Sequence, residues 1–469
     1  MRLIDYKNPI VWILLSSPLF LWGILLLLPT FDDWTYFTTP YYDFGRDFTN
    51  RLLPRFSYWR PFDGLFGYIL SLNPSLFPSL NHIAVYIAHI GCCICVYNIA
   101  KLLRFNSLAC TISTLFFFIS PAMLGTVLGI DSLNQAYSEF WGLLATWLYL
   151  IKRNYLHTVL WLIAALIATF AKENGMVFFV IPQVVAWGFG IITVRQAVKD
   201  TLLASICIAI YFMARVSLNN SDVYINGAYF ENTFSRKIKN LGVFIGMTWI
   251  PLDYVSLHDS CRKPVIVAIT LAVGMPFILF LFAKQRKHLT GKRAITLIIC
   301  FLTAASPHLL TLFTTMHSYA GLGMASLLVA HLVNEYCGKR KHIIILFAIY
   351  VANCLFVDFH HWIKSYQSGM IGEKMALKVI KEAKSCPKNV YLIYLCQGEK
   401  KYSSFCVIPY DAFGWGNAVR FRTNMEWPVE IEYKTIYDRK PDTMKSCLYD
   451  AKDYDGIWYI HGDSIDILR

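Results

Sequence analysis

Two adjacent carboxylates stand in the run Phe31-Asp32-Asp33-Trp34, just past an apolar stretch from Ile10 to Leu28. If that stretch is a helix, its C-terminal end disfavours negative charge. Acids placed there need a reason other than helix stability. Mutual repulsion and partial burial raise the pKa of one carboxyl and leave the other ionised. Such a pair can supply a general base at a membrane interface. A solvated loop start is the plainer alternative.

Cations and aromatics follow. The same segment continues Phe44-Gly45-Arg46-Asp47, then Arg51, Arg55 and Tyr58-Trp59-Arg60-Pro61-Phe62. Trp and Tyr can anchor such a segment among lipid headgroups. The sharper reading is phosphate recognition by Arg60, because planar guanidinium donors match two phosphate oxygens. Asp131-Ser132-Leu133-Asn134-Gln135 is an ordinary turn, or else Asp131 and Asn134 line a polar cleft with the first loop. Ala171-Lys172-Glu173-Asn174-Gly175 interrupts apolar residues running from Trp161 to Ile181. An ionisable residue at a helix centre costs roughly 2.5–3.5 kcal/mol on insertion scales. A Lys172-Glu173 pair at the mouth of a short span costs less, and it marks either a hairpin turn or a cavity. Arg215 ends a later span on the same side, where it either snorkels or meets an anionic ligand. His308, His317, His360 and His361 lack metal-ligand spacing with acids and read as solvated or headgroup-facing.

The elements that would position these residues come from the apolar pattern. Of 469 residues, 56% are apolar and 16% charged. A soluble globular chain carries about 25% charged residues. A soluble enzyme, a disordered chain and a disulfide-stapled secreted domain are thereby excluded. Ile10–Leu28, His82–Ala100, Val265–Ala283 and Ala294–Leu312 contain no Asp, Glu, Lys or Arg. A bilayer core about 30 Å thick needs roughly 20 such residues as helix. Shorter or interrupted blocks lie at Ser107–Leu128, Leu133–Ile151, Tyr155–Phe170, Gly175–Ile192, Thr201–Val216, Tyr319–Tyr336 and Ile343–Phe359, which makes 11 candidate spans. Pro29 and the acids after the first block do not read as a signal-peptide cleavage site.

Charge orients the spans. The net charge is +13. If Leu241–Leu257 lies on the outer face rather than crossing, the short loops holding Arg2, Lys101, Lys152, Arg195, Lys284–Arg293 and Lys339–Lys341 all face the cytoplasm. The positive-inside rule favours that arrangement. The N-terminus is then inside and the C-terminus outside, and the excess charge is an orientation signal rather than a nucleic-acid footprint. The expected fold is an all-α polytopic membrane protein with about 11 transmembrane helices and a small C-terminal α/β soluble domain. Residues 1–357 form the membrane domain, with outer loops 29–80 and 217–264, and 358–469 the soluble domain. In that tail, Tyr366–Lys384 reads as helix, and Val390–Leu395, Cys406–Pro409, Val429–Tyr433 and Ile457–Ile460 as strands. Its cysteines, Cys386, Cys396, Cys406 and Cys447, permit one or two disulfides. The cysteines of the membrane blocks read as packing residues.

Together these residues describe an outward-facing site with a carboxylate pair, several cations and aromatic walls. No Gly-rich phosphate loop or nucleotide fingerprint occurs. The pattern resembles the GT-C fold integral-membrane glycosyltransferases, most closely the protein O-mannosyltransferase and aminoarabinose transferase branch. Asp32-Asp33 after the first span resembles the family's acidic pair or single catalytic Asp. Tyr58-Trp59-Arg60-Pro61 is similar to its Arg-Pro motif, Ser120-Pro121 through Asp131 to its loop after the third span, and Ala171-Lys172-Glu173-Asn174 to its Ser-Lys-Glu segment. The tail lacks the tetratricopeptide repeats of one subgroup, and no Trp-Trp-Asp signature of oligosaccharyltransferases is evident. The absence of eukaryotic accessory domains points to a bacterial inner membrane over the endoplasmic reticulum.

The resemblance implies a polyprenyl-phosphate-linked sugar as donor, a hydroxyl on a glycan, protein or lipid as acceptor, and membrane lipids around the chain. It implies Asp32, or else Asp33, as catalytic base. Arg60, Lys172 and Arg215 bind the donor phosphate, while Trp34, Tyr58, Asp131, Asn134 and Glu173 line the site. No cofactor is expected; a divalent metal is possible but not favoured, since the cations already serve the leaving phosphate. A flippase for an anionic polyprenyl-linked lipid is the first alternative and would show inverted-topology halves. A noncatalytic membrane assembly protein is the second and would tolerate loss of Asp32 and Asp33.

Overall fold

The computed structural model describes residues 8–34, 60–61, 65, 68–69, 72–151, 154–218, 233–258, 262–309, 314–383, 385, 387–397, 411–424 and 426–469. Tyr58, Cys261, Cys386 and the strand expected at Cys406–Pro409 lie outside these residues. The chain is mostly helical. Its main helices are α1 (Pro9–Leu25), α2 (Ser79–Leu102), α3 (Ser107–Ile119), α4 (Leu133–Ile151), α5 (Tyr155–Ala171), α6 (Ile181–Gly188), α7 (Val194–Leu218), α8 (Phe234–Trp249), α9 (Pro264–Lys284), α10 (Lys292–Ala305), α11 (Leu322–Asn334) and α12 (Arg340–Glu382). Starts are set by side-chain caps: Asn8, Asn106 and Asn154 each accept a backbone N–H of the first turn of α1, α3 and α5.

Five helices among the described residues are long and apolar enough to cross a membrane, six if the pair Ser107–Ile119 and Pro121–Val127, bent by 44°, is one span. Eleven were expected. The difference has local causes. Helices α1 and α5 reach only 17 residues each. Asn134, Gln135, Ser138 and Glu139 are buried on the inner face of α4 and make it more polar. The block Gly175–Ile192 is two pieces, a 3-10 helix Glu173–Phe179 and then α6, which starts with Pro182 in its first turn. Proline lacks the N–H that would continue the preceding helix. The segment 241–257 likewise breaks at Ile250–Asp253 around Pro251.

Helix α12 runs 43 residues without a break. The expected domain boundary at 357/358 falls inside it, and its last turns carry a four-stranded sheet. Strands β1 (Asn389–Leu395), β2 (Glu430–Ile436), β3 (Gly456–His461) and β4 (Ser464–Ile467) lie in the order β2-β1-β3-β4. Strand β1 pairs parallel with both neighbours, Asn389 opposite Glu430 and Val390 opposite Gly456, and β4 returns antiparallel along β3. A central parallel strand is buried on both faces, which explains the unbroken run Val-Tyr-Leu-Ile-Tyr-Leu in β1. Val390, Leu392 and Tyr394 pack toward Trp34, Phe77 and Ile130. Tyr391, Ile393 and Leu395 pack the other way, against Cys447 and Ala451. Cys447 is a buried free thiol.

Candidate active site

The carboxylate pair splits into two environments. Phe31 takes a left-handed backbone, φ 47°, and starts a helical turn holding Asp32, Asp33 and Trp34. Asp32 stays partly exposed, whereas Asp33 is buried. Asp33 Oδ2 accepts the N–H of Thr30 at 3.0 Å, and its Oδ1 accepts those of Ile130 at 2.9 Å and Asp131 at 3.0 Å. One side chain thus stitches the end of the first apolar segment to the loop before α4. Burial holds the Asp33 carboxyl well above the usual carboxylate range and the nearby Asp131 carboxylate adds to this; the three N–H donors oppose both.

From Asp131 a series of contacts crosses the site. Ser132 Oγ lies 3.1 Å from Asp131 Oδ1 and 3.0 Å from the Gly125 carbonyl oxygen, its one proton serving one of them, and 3.8 Å from Met316 Sδ. Thr126 Oγ1 donates to the Met316 carbonyl at 3.3 Å. Lys172 Nζ lies 3.4 Å from the same sulfur. Lys172 is extended (φ −155°, ψ 143°) between α5 and the 3-10 helix, so the chain breaks where the cation is presented. The Lys172 side chain is only 9% exposed.

The residues after Lys172 complete the group. Glu173 pairs with Arg60 through both carboxylate oxygens, at 2.9–3.3 Å. Asn174 Nδ2 is 3.4 Å from His308 Nε2, and the His308 ring stacks on His317 with centroids 4.3 Å apart. Asn240 Nδ2 donates to the His308 carbonyl at 3.4 Å. His308, His317 and His361 are buried, not solvated as expected, and His360 Nδ1 bonds Asp253 at 2.7 Å. The backbone is packed as closely as the side chains. A Cβ on Gly175 would lie 2.3 Å from the Ala168 carbonyl carbon and oxygen, backbone that cannot swing away. Gly175→Ala is therefore expected to destabilise the protein by about 1–3 kcal/mol and to lower its melting temperature in detergent; an unchanged melting curve would contradict this packing.

The structure thus gathers Asp33, Asp131, Lys172, Glu173 and Arg60 from segments far apart in sequence. It places Trp34 elsewhere: that ring is 1% exposed, between Phe77 and Phe421 at centroid distances of 5.9 and 5.7 Å. Asn134 is buried on α4. Arg215 lies on α7, with its side chain outside the described residues. Met316, Ser132, His308 and His317 were not named as site residues by sequence reading. Ser132 stands in the polar run 131–135; for the other three the signal was the broken helicity around Ser306-Pro307 and Thr314-Thr315, which apolar periodicity hides. A cavity of about 430 Å3 is lined mostly by apolar residues of α1, α2, α3 and α12 and of the segment after α3, among them Leu19, Trp22, Phe118, Leu128 and Leu355, with His89 and Asp358 also in its wall. Among the described residues, no three His, Cys, Asp or Glu side chains gather as metal ligands.

No protein-family model matches the sequence, and no curated protein matches it. Solved structures do match it in shape. The apo crystal structure of ArnT from Cupriavidus metallidurans superposes with a TM-score of 0.54 and 10% identity, over 96% of this chain and 92% of that one. The same protein bound to undecaprenyl phosphate gives 0.48 and 10%, over 97% of each. An oligosaccharyltransferase from Archaeoglobus fulgidus, in complex with Zn and sulfate, gives 0.45 and 12%, over 92% of this chain and 62% of that one. At 10% identity the likeness to apo ArnT concerns fold, and it spans the tail as well as the helices. With helices long and apolar enough to cross a membrane and a small C-terminal sheet, the chain shares the fold of the ArnT crystal structure over almost its whole length.

Proposed function

We propose that this protein is a glycosyltransferase that moves a sugar from a polyprenyl-phosphate donor to a hydroxyl acceptor on the outer face of a membrane, by our reading a bacterial inner membrane. The observation that carries this reading is the series of contacts from Asp33 through Asp131, Ser132 and Met316 to Lys172. It unites a carboxylate segment and a buried cation in one site, as transfer from a lipid phosphate requires. In this reading Asp32 accepts the proton of the acceptor hydroxyl. The acceptor oxygen forms a bond to the anomeric carbon, and the bond from that carbon to the phosphate oxygen breaks. The electron pair leaves with the polyprenyl phosphate, and the anomeric centre inverts. Lys172 and Arg60, with Arg215, stabilise the departing charge in a partly dry site. A phosphate needs no general acid to leave, and cations beside it make a divalent metal unnecessary. The largely apolar cavity between α1, α2, α3 and α12 offers surface to the lipid chain of a substrate.

The topology that goes with this reading has 11 spans, an inner N-terminus and an outer C-terminal domain. It puts Cys261 outside. With the other cysteines replaced, an impermeant maleimide added to intact cells is expected to label Cys261; labelling only from the cytoplasm would mean that 241–257 crosses. The reaction itself is tested with purified full-length protein and undecaprenyl-phosphate-linked sugars. Lipid, glycan and peptide hydroxyls serve as acceptors. Release of undecaprenyl phosphate with a new glycosidic bond is the expected result. Failure of every donor with every acceptor class would overturn the assignment.

A further inference from the structure

The reaction as drawn gives the C-terminal domain no task, yet one turn of that domain reaches the carboxylate segment. Residues Asp411–Gly416 form this turn, wedged between α12 and Phe31–Trp34. Three successive residues, Gly414, Trp415 and Gly416, have φ of 59°, 51° and 87°. This left-handed curl tips the Trp415 ring onto Phe31, with centroids 4.4 Å apart. Phe31 is itself left-handed, φ 47°. An aromatic residue holds that backbone only where its surroundings over-determine it, and here two such residues hold each other. There is no slack around them. A Cβ on Gly414 would lie 2.7 Å from Trp34 Cβ and 2.9 Å from the Phe31 carbonyl oxygen, and one on Gly372 would lie 2.4 Å from the Ala412 carbonyl oxygen.

We infer that the turn Asp411–Gly416 positions Asp32 for catalysis, with Trp415 as positioning residue acting through Phe31. The inference deepens the reading of the same site given above and rests on it. Asp32 is bracketed by two fixed neighbours. Asp33 is held by three backbone N–H groups and Phe31 by the Trp415 ring, so the backbone on both sides of Asp32 is set while its side chain stays partly open. Losing the ring removes one of the contacts that hold Phe31 in the left-handed region, and a single rotation out of it redirects the residue that follows.

The test uses full-length protein in nanodiscs with Trp415→Leu, Phe31→Leu, the double variant and the conservative Trp415→Phe. Hydrogen exchange reads the segment 28–34 against β1 and α2, and transfer from undecaprenyl-phosphate-linked sugars reads kcat and donor KM. Either leucine variant is expected to speed exchange at 31–34 about tenfold. Each should lower kcat about 10- to 100-fold with donor KM within about twofold. The double variant should lose little more than either single one, and Trp415→Phe should recover most of the rate. Unchanged exchange at 31–34 in both leucine variants overturns the inference, as does a kcat kept at the parent level. If Trp415→Leu loosens the sheet itself, Phe31→Leu, outside the sheet, decides. If the unaltered protein transfers no sugar, the functional reading fails, while the exchange data still decide whether the turn holds the segment.

Discussion

Asp32→Asn is expected to lower turnover about 10²- to 10⁴-fold, the range over which a positioned general base contributes, with the melting temperature unchanged. The side chain is partly exposed, so an amide there disturbs little packing. Asp33→Asn should behave differently. Its carboxylate receives three backbone N–H groups, and an amide presents an N–H of its own to at least one of them. A buried donor left without a partner costs about 1–3 kcal/mol. Asp33→Asn should therefore lose melting temperature together with activity, because the tie to the Ile130–Asp131 loop loosens. Measuring kcat and thermal unfolding for both variants separates the two roles. Full turnover in Asp32→Asn would remove this residue from the mechanism.

Lys172→Met should lower kcat about 10²- to 10³-fold, comparable to removal of one preorganised group that stabilises developing charge. Methionine keeps much of the length and apolar stem, so packing against Met316 survives and the charge is what is lost. Lys172→Arg should recover only part of the rate, since a planar fork does not reproduce a compact ammonium. Donor KM should rise less than kcat falls if the interaction is made chiefly with the departing phosphate. Equal activity in Lys172→Met and the parent would move phosphate stabilisation to Arg60, whose guanidinium is engaged by Glu173.

Much of the fold is legible in local pattern. Asn8, Asn106 and Asn154 cap helices where apolar blocks begin, and the double-sided apolar run at 390–395 is a central strand. The helix breaks were harder to see. Residues around Pro121 and Pro182 are largely apolar like their surroundings, so hydropathy reads through them, while the backbone departs from the α-helix. Those departures shape the site, since irregular backbone at membrane depth is tolerated where it is buried in protein or lines a cavity. The motif segments at 32–33, 131 and 172–173 stood out because charge there conflicts with the surrounding pattern. Their partners did not. Arg60 and Glu173 are 113 positions apart, and Met316 and the His308–His317 stack carry no charge signal in an apolar stretch. Which aspartate is buried on three backbone N–H groups and which is partly exposed leaves no mark in a sequence.

The unbroken course of α12 bears on how the tail meets the membrane domain. A domain on a flexible tether must give up chain entropy to dock, and docks only for a fraction of the time set by its effective concentration. A continuous helix has no such freedom to surrender. It works instead as a ruler with an angular scale: each residue advances about 1.5 Å and turns about 100°. One alanine inserted between Ser365 and Gly369 would swing the sheet through about 100° and carry the Asp411–Gly416 turn away from Phe31. Four inserted residues would bring it back to within about 40° of its azimuth but about 6 Å too high. The phase of this one helix, more than any affinity between the two surfaces, sets where the tail arrives.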